Sequence, residues 1–409
     1  MDRPAIAGGS AAKTTPFPRP NRYGAEELRE LTEALEQGTL FYAQGKKVYQ
    51  FESEFAALLG FPHAVACSSG TAGIHAALIA AGISPGDEVI VPPITDMGSV
   101  VPILYQGAIP VFADLDEATG NLLPASVEKN ITEKTRAIIA VHLAGYACDM
   151  DVLVAIAAKG KLVLIEDCAQ AHGTTYRGKA VGHFGVCGCY SFNEFKHVSC
   201  GDGGIVVTHD AEFAKRLRLA TDKAYTRDPA VTQRSPTFLA NNYRMTELQG
   251  AVALAQTRKI MEIVRRRREW CTQLTERISE CRGILLPHAT QGGEHSYWFY
   301  MMRVVPEKLG ADADEFAGAL KAEGLPVSAH YIGQPIYQYP LFVNHSAFAR
   351  GSHPFAGRSY HAGLCPNAEA ILRTCVNLQI NEAYGEVDLE ETVFGIRRVV
   401  KWFNKKSFG

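Results

Sequence analysis

The chain is 409 residues long and contains no apolar run approaching the ~18 residues that a membrane-spanning helix requires. It also lacks an excess of charge: 41 Lys and Arg against 43 Asp and Glu leave a formal net charge of -2. Such a balance supplies no basic field for nucleic acid or an anionic bilayer, so neither is an expected partner. The one dense basic block, Arg265 to Arg268, falls inside a helical pattern from about 246 to 278 and reads as a solvated face or a subunit contact. The ten cysteines lack zinc spacing: Cys187-Gly188-Cys189 has no second pair or histidine nearby to complete a tetrahedral site, so no structural metal is expected. Without a signal peptide they point to a reducing, cytoplasmic setting. No GxGxxG opens the first helix, which argues against a nicotinamide dehydrogenase.

What is present is a repeated alternation of short apolar runs with helical patterns. Residues 1–20 are rich in Gly, Ala, Thr and Pro without periodicity and read as a flexible arm. Helical spacing follows at 25–36 and 48–59. Strand-like runs then recur at 63–67, 86–93 (a turn and strand), 108–114, 137–143 and 161–165, separated by helices. This order implies a mostly parallel central sheet with helices on both faces, spanning about 21–270, with strand carboxyl ends gathered on one rim. From about 271 the pattern changes to bulky strands at 297–305 and 327–331 around a helix at 313–323, ending in a helix at 387–402. These form a smaller C-terminal α+β domain.

The densest chemistry lies in 163–208. Val163-Leu164-Ile165 ends abruptly in Glu166-Asp167, which aims a carboxylate into the crevice where α/β sheets bind ligands. Cys189-Tyr190-Ser191-Phe192 forms a second strand-like run, Lys196 lies four residues past Phe192, and Gly201-Asp202-Gly203-Gly204 precedes a third strand. Earlier, Ser68-Ser69-Gly70-Thr71-Ala72-Gly73 turns a strand into a helix. Its small residues and the helix dipole suit a phosphate on Gly70, Thr71 and Ala72. A lysine for an imine, an acid for a ring nitrogen and donors for a phosphate together suit pyridoxal 5'-phosphate (PLP).

These pieces, Glu166-Asp167-Cys168-Ala169-Gln170-Ala171-His172-Gly173, Ser191-Phe192, Lys196 and Gly201-Asp202-Gly203-Gly204, resemble the DegT/DnrJ/StrS family of sugar aminotransferases. The motif Asn241-Asn242-Tyr243-Arg244-Met245-Thr246 resembles the same family's NYRMT segment. The resemblance implies a fold type I PLP-dependent transferase, like aspartate aminotransferase. It implies Lys196 as the Schiff-base lysine and proton shuttle, Asp167 on the pyridine nitrogen, Gln170 near the phenolic oxygen and Ser191 on the phosphate. It also implies a homodimer in which Asn242 reaches the neighbouring subunit's phosphate. Glutamate or glutamine would be the amino donor, and a keto group of a sugar, nucleotide-linked sugar or cyclitol the acceptor.

Substrate contacts are open to several residues. Tyr42, in the aromatic loop 38–45, either lies over the site or packs at a domain edge. The family commonly places a ring-stacking aromatic where this chain has Asp96. Either His172, Tyr42 or another group covers the ring, or that face is more open. Arg244, His330 and Tyr331 complete the candidates. A branch of the family replaces the lysine by histidine and dehydrates a deoxysugar. His197 directly follows Lys196, but counting from Ser191-Phe192 and back from Gly201 both select Lys196. Dehydration, and a non-catalytic PLP- or sugar-binding regulatory role, stand as the alternatives.

Overall fold

In the computed structural model the described residues are 3–231, 233, 235–355 and 357–408. The strand-like runs pair into one seven-stranded sheet. Its strands are β1 (His63–Cys67), β2 (Glu88–Val91), β3 (Ile109–Phe112), β4 (Thr135–Val141), β5 (Val163–Asp167), β6 (Cys187–Ser191) and β7 (Gly204–Thr208), in spatial order β1-β7-β6-β5-β4-β2-β3. Five of these, β2, β3, β5, β6 and β7, are four or five residues long with at most one position not fully buried. They therefore read as apolar runs rather than alternations, as strands covered on both faces do. β2 to β6 pair in parallel, whereas β7 is antiparallel to both its neighbours, β1 and β6. Six carboxyl ends and the amino end of β7 therefore share one rim.

Helix α1 (Ala25–Glu36) and helix α2 (Lys47–Leu59) lie near residues 25–59 as expected. Helix α3 (Gly70–Ala80) is apolar nearly all round and buried nearly all round. Its amino cap, Ser69, accepts the Ala72 N–H at 3.0 Å. The single helical pattern expected over 246–278 is two helices, α4 (Glu247–Thr257) and α5 (Ile260–Ile278). ψ closes to about -15° at Arg258 and Lys259 between them. Their cations turn aside to Glu54 and Glu30, and to Glu27. Thr246 caps α4 in a reciprocal pair with Gln249. In the basic block, Arg265 and Arg266 are solvated and paired with Glu262 and Glu269, while Arg267 is buried against Glu382.

A second, antiparallel sheet in the order β8-β9-β11-β10 is built from β8 (Ile284–Leu285), β9 (Phe299–Val304), β10 (Val327–Ala329) and β11 (Cys375–Gln379). With α6 (Ala313–Ala322) and α7 (Glu386–Phe408) it encloses its own core. Helix α5 spans both units: Ile260 and Val264 belong to the first core, Trp270, Cys271, Leu274 and Ile278 to the second. Residues Ile336, Tyr337, Phe342, Tyr360 and Leu372 return to the first core although they follow the second sheet's early strands.

Residues 3–20, expected as a flexible arm, are laid along the second core. The buried Glu323 carboxylate accepts the N–H groups of Ala5 at 3.0 Å and Ala12 at 2.8 Å and pairs with Arg398. The Lys13 ammonium sits between Asp388 at 2.8 Å and Glu391 at 2.6 Å. Composition concealed this because the contacts use backbone N–H groups, which leave no periodicity. Replacing Glu323 by Ala is expected to break its buried ion pair with Arg398, remove the acceptor of the Ala5 and Ala12 N–H groups and release the segment, at a cost of roughly 3–5 kcal/mol. Denaturant unfolding measures the loss, and limited proteolysis locates new cleavage before residue 20.

Candidate active site

A cavity of ≈330 Å³ opens on the shared rim. Four of the strands contribute through the loops they release there. After β1 come Gly70 and Thr71 in the first turn of α3; after β2, Thr95, Asp96 and Ser99; after β5, Asp167, Ala169 and Gln170; after β6, Ser191, Asn193 and Lys196. Asp202, just before the reversed strand β7, completes the wall.

Asp167 is the last residue of β5, and its backbone is paired with Cys189 of β6. One carboxylate oxygen accepts the Ser99 hydroxyl at 2.6 Å, and Thr95 bridges to Ser99 at 2.7 Å. The other accepts the Ala169 N–H at 3.0 Å. Burial pushes the carboxyl up from its usual range, while those two hydrogen bonds pull it down. Lys196 is 9% exposed. Burial holds its amine below the ordinary lysine range, opposed by the charges of Asp167 and Asp96. A lysine so desolvated is the kind that supplies a nucleophilic amine. Its Nζ stands 4.0 Å from the centroid of the Trp298 ring. Gln170 is fixed by accepting the Ala144 N–H at 2.8 Å, which leaves its amide nitrogen directed to the Tyr331 hydroxyl at 3.4 Å.

The far end of the cavity is shaped by missing side chains. A Cβ on Gly70 would stand 2.8 Å from the Cβ of Ser191, and one on Gly98 would stand 2.6 Å from the Thr71 hydroxyl. Only glycine lets these loops close around the amino end of α3, where backbone N–H groups and the helix dipole favour an anion. Gly70, Thr71 and Ser191 all line this end. Ala72 does not: its N–H is spent on the Ser69 cap. An anion cradle, a buried amine and a buried acid within one cavity are the donor set that PLP requires, so the residues fit the cofactor.

The structure separates the other candidates. Asp96 lines the cavity and caps its own short turn through Gly98 N–H at 2.7 Å. Tyr42, expected in an exposed loop, is buried. Its hydroxyl donates to Asp222 at 2.8 Å, and Asp222 also binds Arg244 at 2.5 Å and Arg227 at 2.6 Å. Tyr42 and Arg244 thus belong to a structural cluster away from the cavity lining. His172 lies behind the wall among Phe55, Tyr190 and Phe192, with both ring nitrogens unpartnered. Burial there drives its pKa down to about 3. Neither Tyr42 nor His172 is placed to cover a ring in the cavity. His330 turns to Leu372 O at 2.9 Å and Asp314 at 3.0 Å, and Asn242 is exposed on the surface. The His330-Tyr331 pair was expected to continue a strand. Both residues have left-handed φ, 65° and 44°, and β10 ends before them. That turn leaves Tyr331 within reach of Gln170.

Beside the site, His142, Glu166 and Cys168 converge with their ligand atoms within 4.8 Å of one another. Glu166 is already satisfied by the N–H groups of Gly182, Phe184 and Gly185 and by His142 at 3.1 Å. The His142 ring accepts the Cys148 N–H at 3.1 Å. This is a hydrogen-bonded brace for the β5 end. Ser99, Asn193 and Trp298 were missed from sequence because nothing in local pattern distinguishes them. Asp202 was visible in the Gly201-Asp202-Gly203-Gly204 turn but was read only for its glycines.

The sheet order, the rim and this donor set define a PLP-dependent transferase of fold type I. Residues 21–393 match the profile of the DegT/DnrJ/EryC1/StrS aminotransferase family, and the chain belongs to that family. It is 33% identical over 389 residues to the spore coat polysaccharide biosynthesis protein SpsC of Bacillus subtilis, covering 92% of this chain and 95% of that one. It is 37% identical over 303 residues to the GDP-perosamine synthase of Caulobacter vibrioides, covering 73% and 80%. Among solved structures, DesV of S. venezuelae in complex with a ketimine intermediate superposes with a TM-score of 0.80 at 31% identity, covering 92% and 94%. The protein is a PLP-dependent aminotransferase.

The buried His172 gives this fold an acid sensitivity. Its unfolded pKa is about 6.5, and the folded value is about 3. Below pH 6.5 the unfolded chain takes up a proton that the folded chain refuses, so stability is fullest above 6.5 and falls toward pH 3 by about 1.4 kcal/mol per pH unit for one such group. His172→Phe is expected to flatten this slope, which denaturant midpoints of both proteins across that window would measure.

Proposed function

We propose that the enzyme moves an amino group from glutamate or glutamine to a keto group of a sugar, nucleotide-linked sugar or cyclitol. The observation that carries its chemistry is the pair of oppositely shifted groups in one dry cavity: an amine held below its usual range and an acid beside it. When bound, PLP supplies an electron sink that stabilises negative charge at the substrate carbon. Lys196 would hold the cofactor and, as a free amine, would move the proton at the substrate carbon. Asp167, oriented by Ser99 and Ala169, keeps the ring nitrogen protonated. Gln170 would sit by the phenolic oxygen, and Gly70, Thr71 and Ser191 would receive the phosphate, while Ala72 gives its N–H to the Ser69 cap.

The acceptor class is supported by relatives named for polysaccharide biosynthesis and for perosamine synthesis. Lys196 lines the cavity, whereas His197 is buried with Nε2 against Ser296 O at 3.0 Å, which favours transamination over dehydration. A homodimer is part of this reading. Asn242 is exposed and outside its own protomer's cavity, as a residue that serves a neighbour would be. The setting is cytoplasmic. Asp96 remains available to the acceptor, and Tyr331 to the ring-side mouth of the cavity.

Purified protein with PLP is expected to absorb at long wavelength, and borohydride should fix the cofactor on the peptide containing Lys196. Lys196→Ala should abolish both the fixed label and turnover. Retention of the label on another lysine would reject this assignment. Asp167→Asn should keep the cofactor but lower kcat by about 10²–10³-fold, since it removes a preorganised charge from a dry site. Steady-state kinetics with glutamate and glutamine in parallel would also identify the donor.

A further inference from the structure

Among the described residues Lys196 is the only cationic side chain lining the cavity, and it shares the wall with three carboxylates, Asp96, Asp167 and Asp202. An ammonium in that company would ordinarily collapse onto one of them and stay there. Yet among the described residues Lys196 makes no ion pair, and Asp167 and Asp96 act on it only through space. Its Nζ instead faces the Trp298 ring at 4.0 Å. An aromatic face attracts a cation through its quadrupole but offers no lone pair to lock it.

Trp298 is itself held at several points. Its indole N–H donates to Phe195 O at 2.7 Å, the residue just before Lys196. Its backbone N–H donates to Ala144 O at 2.9 Å, and its carbonyl receives Arg267 at 3.4 Å. The N–H of that same Ala144 holds Gln170. Ring, lysine and glutamine therefore share one frame, with the ring behind the lysine and outside the cavity lining.

Building on the assignment of Lys196 above, we propose that Trp298 is a positioning residue that provides a station for the free Lys196 ammonium. It keeps the amine off the three carboxylates whenever the lysine is not attached to the cofactor. The charged form is stabilised enough to stay in place, and the amine remains free to return.

The test uses the full chain freed of cofactor by an amino donor and dialysis. The pH dependence of acetic anhydride labelling at Lys196, read by mass spectrometry of its peptide, gives the pKa of that amine. The groups around the amine are Asp96 and Asp167, Asp202 on the same cavity wall, the Trp298 ring, and His172 and His197, both held neutral by burial behind the wall. Trp298→Leu is expected to lower the pKa by about one unit, and Trp298→Phe by less, because removing the ring weakens the charged form. Fluorinated tryptophans, which keep the shape but weaken the quadrupole, should lower it stepwise with fluorine number. The other two tryptophans, Trp270 and Trp402, lie at the second core. An unchanged or higher pKa in Trp298→Leu, or a pKa indifferent to fluorination, overturns the proposal. If Trp298→Leu does not fold, the fluorinated series decides alone. Loss of the borohydride label from Lys196 would reject the assignment of that lysine while leaving the labelling pKa intact, so the two failures are distinguishable.

Discussion

The parallel pairing of β5 with β6 is the constraint on which the site depends. It sets Asp167 opposite Cys189, so the acid ends one strand while Ser191 and Lys196 leave the next at the same level. The strand end is also where backbone geometry is best fixed, and the proposed pair of Asp167 and Lys196 needs that rigidity. The brace below it serves the same purpose: Glu166, one residue before Asp167, accepts three N–H groups from the loop leading to β6 as well as His142. Adjacent carboxylates thus have divided roles, one locking two strands together and the other facing the cavity.

Burial gives each group its chemistry. Taking a lysine and an aspartate out of water pushes each toward its neutral form, and the fixed dipoles around them decide how far. Ser99 and the Ala169 N–H restore charge on Asp167, whereas the Trp298 ring supports Lys196 without neutralising it. The same dryness leaves His172 neutral and without partners behind the wall. Reversal of β7 adds Asp202 to the cavity, so the site's charge balance is a product of strand direction as much as of composition.

The cavity-lining residues Gly70, Thr71, Asp167, Ser191 and Lys196 were legible because each belongs to a short motif with its own local geometry. The glycines that open α3, the acid that ends β5 and the lysine after β6 all depend on a strand meeting a turn, and apolar runs reveal where that happens. Tyr42, Arg244 and His330 lie off the cavity lining for the opposite reason. Tyr42 and Arg244 were judged by the loops that carry them, but both are claimed by the buried Asp222, 180 and 22 residues away in sequence. His330 was judged by its aromatic neighbour, but a left-handed backbone turns it to α6. The arm over 3–20 was missed because its partner, Glu323, is reached through backbone groups.

Sequence alone determined the sheet-and-helix alternation, the glycine-shaped anion cradle and the identities of the acid and the amine, because each is encoded within a few consecutive residues. Only the tertiary structure decided which polar side chains face the cavity, that two helices occupy 247–278, and that the indole of Trp298 stands against the lysine. Those outcomes rest on tertiary contacts, from Arg244–Asp222 at 22 residues apart to Tyr42–Asp222 at 180, or on the balance of burial and ion pairing at a single bend. Their free energy comes from packing that no local pattern records.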